Sequence, residues 1–168
     1  MLVHIGPPMH PDELTMTQHF LRAAAAQKLA HLVYYSVMHP LRRDVRHHRL
    51  KLETEVRVIE SGLTYTIVQP TRYMQHVENI WNAVTDQGLH AMPFNTQALP
   101  LEVMAERARA AGVSADRIEQ MRVMNDPYDR YGFRGNPNVL AMLLGRAPTR
   151  YRDYLRQLIA TLGGSAKT

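Results

Sequence analysis

The sequence predicts an α/β protein: a short parallel sheet flanked by helices, followed by a helical C-terminal lobe. Three observations carry this. The stretch up to Pro70 reads strand, helix, strand, helix, strand, and such alternation argues for parallel pairing through right-handed crossovers. Beyond Pro70 the alternation stops and helical spacing with cap signals takes over. The length, 168 residues, suffices for one domain with a real core and falls short of two full ones.

"MLVHI" (1–5) is an apolar run closed by Gly6-Pro7-Pro8, a strand ending at a turn. Pro11 opens a helix through "DELTMTQHFLRAAAAQKLA", with Asp12 and Glu13 in its first turn and Lys28 in its last, as the helix dipole favours. Leu14, Leu21, Ala25 and Leu29 are its expected inner face. "HLVYYSV" (31–37) has a buried-strand composition. A second helix, about 44–61, ends at Gly62, with Leu52, Val56 and Ile59 expected to face the sheet. "LTYTIVQP" (63–70) is the third strand. Leu89 to Met92 is a candidate fourth.

After Pro70, "RYMQHVENIWNAVTDQG" is expected to be helical, with Met74, Val77, Ile80, Trp81 and Val84 as its apolar stripe. "LEVMAERARAAG" ends at Gly112, and "SADRIEQMRVMND" opens on Ser114 as N-cap. "NPNVLAMLLG" has Asn136 as cap, Pro137 at the first helical position and Gly145 just past the end. "TRYRDYLRQLIATLGG" has Thr149 as cap and Tyr151, Leu155, Leu158, Ile159 and Leu162 inward. The terminal "GGSAKT" is expected to fray. So few strands leave a long sheet edge for a partner chain or helices to cover, and self-association through that edge is expected.

Composition narrows the function classes. Apolar content is 45% and charged content 21%, ordinary for a globular protein. There is no cysteine, which excludes disulfides and thiolate chemistry and fits a reducing, cytoplasmic location. Net charge is +5 and the pI about 9.7. The basic run "LRRDVRHHRLK" (41–51) reads as a solvated face, since no aromatic-basic interleaving or DNA-reading motif accompanies it. Nucleic acid is therefore not an expected partner. No apolar run approaches the ~18 residues of a membrane span, so no membrane partner is expected. The N-terminus lacks the charged region and longer apolar stretch of a signal peptide.

Several residues invite chemistry. His47 and Lys51 are spaced i, i+4, on one face of the second helix. On pattern alone the two read as solvated side chains. Ser36 ends the second strand, where ligands bind in open α/β sheets, although a turn hydrogen bond explains it equally well. Tyr73 and Gln75 follow a strand-ending proline and read first as capping residues. His47 and His48 are adjacent, and no His-Glu-x-x-His exists, so no metal site is expected. The ten methionines read as core filler. Gly132 and Gly135 lack a following Lys-Ser/Thr and make no phosphate loop.

"VYYSVMHPLRRDVRHHRLKLETEVRVIESGLTYTIVQPTRYMQ" (33–75) resembles the middle of NmrA-like proteins, the atypical branch of the short-chain dehydrogenase/reductases. "YGFRGNPNVLAMLLGRAPTRYRDYLRQ" (131–157) resembles their C-terminal end, and "LVHIGPP" their fourth strand with its loop. The resemblance implies a partial Rossmann-like parallel sheet of three to four strands over 1–97 and a helical substrate-lobe segment over 98–168. It implies NAD or NADP as cofactor and NAD(P)H-dependent oxidoreduction. By it, Lys51 matches the lysine that contacts the nicotinamide ribose. His47 stands where ordinary members carry the tyrosine of Tyr-x-x-x-Lys, the proton donor. Ser36 matches the serine ending the preceding strand. Gly6, Pro7 and Pro8 match a loop beside the cofactor, and Pro70, Thr71 and Tyr73 the turn flanking the nicotinamide.

The departures from the family set further expectations. No G-x-x-G-x-x-G or G-x-G-x-x-G occurs, so the amides that would hold a pyrophosphate are missing. The chain reads as a family member without its first βαβαβ half and without an internal block, as a truncated gene, a wrong gene model or a remodelled paralogue would give. Weak or absent cofactor binding follows. A lysine beside His47 lowers its pKa and weakens it as an acid, which disfavours ketone reduction. A quinone-like hydride acceptor remains compatible. So does a non-enzymatic nicotinamide sensor or regulatory module with a protein partner.

Overall fold

A computed structural model describes residues 1–7, 9–81, 101–132 and 135–165. Its element order is β1 (Leu2–Ile5), α1 (Glu13–Ala26), β2 (Leu32–Tyr35), α2 (Arg46–Ile59), β3 (Tyr65–Val68), a 3-10 helix (Met74–Ile80), α3 (Leu101–Ala110), α4 (Ala115–Tyr131), α5 (Asn138–Leu144) and α6 (Tyr151–Ser165). The predicted α/β class stands. The three strands form one parallel sheet in the order β1-β2-β3. His4 faces Tyr34, and Tyr34 faces Ile67, across the sheet. The candidate strand at 89–92 and the boundary at 97 lie outside the described residues.

The chain divides into two compact units, one holding the sheet with α1 to α4, the other the 3-10 helix with α5 and α6. In the first, α1 and α2 pack on each other over one sheet face. Leu32 and Tyr34, fully buried on β2, meet Leu21 of α1 and Val58 of α2 there, with Phe20, Leu29, Leu63 and Ile67 around them. The residues alternating with these on β1 point away from the helices: Val3 is 51% exposed and Ile5 64%. β1 is therefore apolar yet largely exposed on that face. Among the described residues nothing pairs with its outer edge.

Both crossover helices depart from their expected inner faces. On α1, Leu21 is buried, Leu14 is half-buried and Ala25 is exposed; Glu13, Thr17 and Ala24 complete the buried face, and Leu29, half-buried, lies past its end. On α2, Val56 and Ile59 are exposed and Leu52 is half-buried. The buried residues are His48, Lys51, Thr54, Glu55 and Val58. Only Val58 reaches the apolar cluster. The other four are polar and buried because each finds a hydrogen-bond partner in the structure, which is the condition for burying such groups.

Smaller corrections follow the same logic. α1 stops at Ala26, and Lys28 takes a left-handed φ of 51° beyond it. α4 runs on through Pro127 to Tyr131, with Gly132 closing it at a φ of 72°. Ser114 does cap α4, accepting from Arg117 N at 3.4 Å. The expected cap order shifts by one: Pro137 stands at the N-cap and Asn136 before it, its Oδ1 still accepting from Asn138 N, the first helical residue, at 2.9 Å. In the second unit the segment after Pro70 is helical as expected, as a 3-10 helix over Met74–Ile80; the expected stretch beyond Trp81, with Val84, lies outside the described residues. Val77 is its buried residue, and the Tyr154 hydroxyl of α6 donates to the Glu78 carboxylate. Of the expected inward residues of α6, Tyr151, Leu155 and Leu158 are half-buried, whereas Ile159 and Leu162 are exposed.

Candidate functional site

The polar face of α2 lies against the C-terminal ends of β1 and β2. Lys51 is buried, and its ammonium lies 2.5 Å from Glu13 Oε1 and donates to the Tyr35 carbonyl at 3.2 Å. It also stands 5.4 Å from the centre of the Tyr34 ring. Glu13 is the first residue of α1 and is fully buried. Its Oε1 accepts a second hydrogen bond, from the Tyr34 hydroxyl at 3.2 Å. Its Oε2 is buried with no hydrogen-bond partner among the described residues. Gly6, at the end of β1, is shaped to this carboxylate: a Cβ there would come within 2.7 Å of Glu13 Oε1.

Ser36 is buried one residue past β2, and its hydroxyl donates to Glu55 Oε1. Gln69 Nε2 donates to both oxygens of the same carboxylate, at 3.0 and 3.1 Å. Glu55 follows Lys51 by four residues and so shares its helical face. The site thus holds two buried carboxylates and one buried ammonium.

His47 is half-buried, and its Nδ1 is buried without a hydrogen-bond partner among the described residues. Burial, then the Lys51 charge, push its pKa down to about 4, against a smaller opposing pull from Glu13. The sequence anticipates the direction through Lys51; the larger cause is burial. A pKa so lowered keeps His47 a neutral imidazole at neutral pH; its remaining ring N–H is a hydrogen-bond donor and a far weaker acid than an imidazolium. It lines a cavity of about 220 Å3 with Met9, Val45, Leu50, Val123 and Met124.

His48, read from sequence only as a neighbour, is fully buried. Its Nδ1–H donates to the His39 carbonyl at 2.8 Å, which leaves Nε2 as the acceptor of a neutral ring. Burial lowers its pKa, consistent with that neutral form. The Tyr128 hydroxyl of α4 therefore donates to Nε2. Burial pushes the Tyr128 pKa up to about 12, so the phenol keeps its proton. This chain ties the loop after β2, helix α2 and helix α4 together.

The structure gathers Gly6, Ser36, Lys51 and His47 around the strand ends. Pro7 lies in the loop after Gly6, its carbonyl accepting from His10 N at 3.4 Å. Pro8 lies outside the described residues. The Pro70 carbonyl accepts from Met38 N at 3.0 Å, and Thr71, next to it, is exposed. Tyr73 belongs to the second unit, caps the 3-10 helix and meets the His76 ring edge-on at 5.8 Å. Sequence reasoning missed Glu13, Glu55, Gln69, His48 and Tyr128. His48, Lys51, Glu55 and Val58 share one face of α2 by helical spacing, but nothing in that spacing marks the face as the inner one.

These residues accommodate a nicotinamide dinucleotide only conditionally. Lys51, which the resemblance matches to a ribose-contacting lysine, and Ser36 already bind carboxylates. No group of three or more metal-ligating side chains occurs among the described residues.

Neither a family model nor a curated protein matches the chain by sequence. A solved structure resembles it: the crystal structure of the NADPH-dependent quinone oxidoreductase QOR2 from Escherichia coli, complexed with NADPH. The likeness has a TM-score of 0.75 at 13% identity and covers 94% of this chain and 76% of that one. At that identity it establishes the fold, a Rossmann-like α/β sheet with flanking helices.

Proposed function

We propose that this chain is an NAD(P)-binding protein of the NmrA-like kind, and that its activity is NAD(P)H-dependent oxidoreduction with a quinone-like acceptor. The observation that carries the reading is the placement of Lys51. It lies on the crossover helix at the C-terminal ends of the strands, where open α/β sheets bind ligands, in a fold shared with an NADPH-bound oxidoreductase. Bound there, a nicotinamide would supply hydride. Of the chain's own groups, neutral His47 is only a weak acid, so an acceptor whose reduced anion takes its one further proton from water suits the site better than a ketone. The missing glycine-rich turn keeps affinity low, with Kd in the high-micromolar range or weaker.

The Glu13–Lys51 pair favours a second reading, in which the chain binds the cofactor as a sensor and its output is a protein contact. Calorimetric titration of NADPH into the chain, with Lys51→Ala as control, tests what both share. Saturable binding that the substitution removes supports a dinucleotide site. No heat from a chain shown by circular dichroism to be folded sinks both. NADPH oxidation on adding a quinone then separates enzyme from sensor.

A further inference from the structure

We infer that Glu13 is an intramolecular competitor of the cofactor: it holds the Lys51 ammonium, and a nicotinamide dinucleotide binds only when that pair parts. The inference rests on the reading of this region as a dinucleotide site and names what regulates it.

Four observations support it. The pair is close, at 2.5 Å, and both side chains are nearly or wholly inaccessible, at 5% and 0% exposure. An ammonium so placed cannot also meet a ribose hydroxyl without moving. Second, Glu13 is anchored by its surroundings: the Tyr34 hydroxyl holds Oε1, and Gly6 leaves room for the carboxylate that any larger residue would fill. Third, the buried charges at the strand ends are two carboxylates, Glu13 and Glu55, against the single ammonium of Lys51, with His47 neutral beside them. That balance repels an anionic ligand. Fourth, Glu13 Oε2 has no hydrogen-bond partner among the described residues. A buried acceptor left unmade is costly, so the closed pair is less stable than a fully satisfied one and is more easily opened by a competing ligand.

Glu13→Gln keeps the size of the side chain and removes its charge. The test is calorimetric titration of NADPH, of nicotinamide mononucleotide and of AMP into the parent chain, Glu13→Gln and Glu13→Gln with Lys51→Ala. Folding of each is checked by circular dichroism. Glu13→Gln should bind NADPH at least tenfold more tightly than the parent. The gain should appear with nicotinamide mononucleotide, stay absent with AMP and vanish when Lys51→Ala is added. A merely structural Glu13 would lower affinity or leave it alone, so equal or weaker binding by a folded Glu13→Gln overturns the inference and leaves the dinucleotide site standing. Absence of NADPH binding in every folded form removes the site and the inference with it. Should Glu13→Gln not fold, Glu13→Asp decides: it keeps the charge but shortens its reach by one methylene, and a folded Glu13→Asp without a gain is equally fatal.

Discussion

The Lys51 ammonium lies 2.5 Å from the Glu13 carboxylate, and both are buried beneath the ends of β1 and β2. A buried pair of this kind costs desolvation on both sides and returns it only through mutual attraction and added hydrogen bonds. The Tyr35 carbonyl and the Tyr34 hydroxyl supply those bonds. Removing one partner strands the other. Lys51→Ala or Glu13→Ala should each cost about 3–5 kcal/mol, whereas Glu13→Leu with Lys51→Met should lie within about 1–2 kcal/mol of the parent. Urea unfolding of the four proteins measures this. A double variant as unstable as the singles would show that the pair is not the coupled unit described.

His47 sets an acid limb on stability. Its folded pKa, about 4, lies below its ordinary value of 6.5. Between those two values the unfolded chain binds the proton that the folded chain refuses. The stability contribution is therefore fully present above 6.5 and lost as the pH falls toward 4. His47→Gln should flatten that limb, so that the variant loses less stability than the parent between pH 7 and pH 5 in urea titrations. Parallel losses in both proteins would place the acid sensitivity elsewhere; burial lowers the His48 pKa too, and His48 is the next candidate.

Tyr128→Phe should destabilise the first unit by about 1–3 kcal/mol, because it leaves the buried Nε2 of His48 without its donor. The loss should be local. Hydrogen exchange should quicken in α4 and in the loop carrying His39 more than in β2. Unchanged protection at both places would show that the hydrogen bond does not couple them.

The open edge of β1 predicts self-association. Leu2, Val3 and Ile5 are 42%, 51% and 64% exposed, and unpaired backbone on an apolar edge recruits another strand. Light scattering should show a mass that rises with concentration. Val3→Lys should hold the protein at monomer mass, since an edge lysine opposes such pairing. A monodisperse parent at high concentration would refute the prediction.

Read alone, the sequence determined the strands, the crossover helices and the turns between them. Their signals are local: β-branched and aromatic runs on β2, Gly62 after α2, Ser114 before α4. It put Ser36 at a strand end and Lys51 on a helix as separate local facts, and only the family resemblance joined them in one site. What the tertiary structure alone decided is which side of each helix faces inward. Apolar spacing pointed to Leu52, Val56 and Ile59, yet His48, Lys51 and Glu55 are buried, since their partners Tyr128, Glu13 and Gln69 arrive from distant parts of the chain. A polar face becomes an inner face only when those partners meet it, and hydropathy along one helix carries no record of them. The same holds for the charge at the strand ends: Lys51 is legible as a cation, but its capture by Glu13, 38 positions earlier in the chain, exists only once β1 and β2 pair and bring α1 against α2.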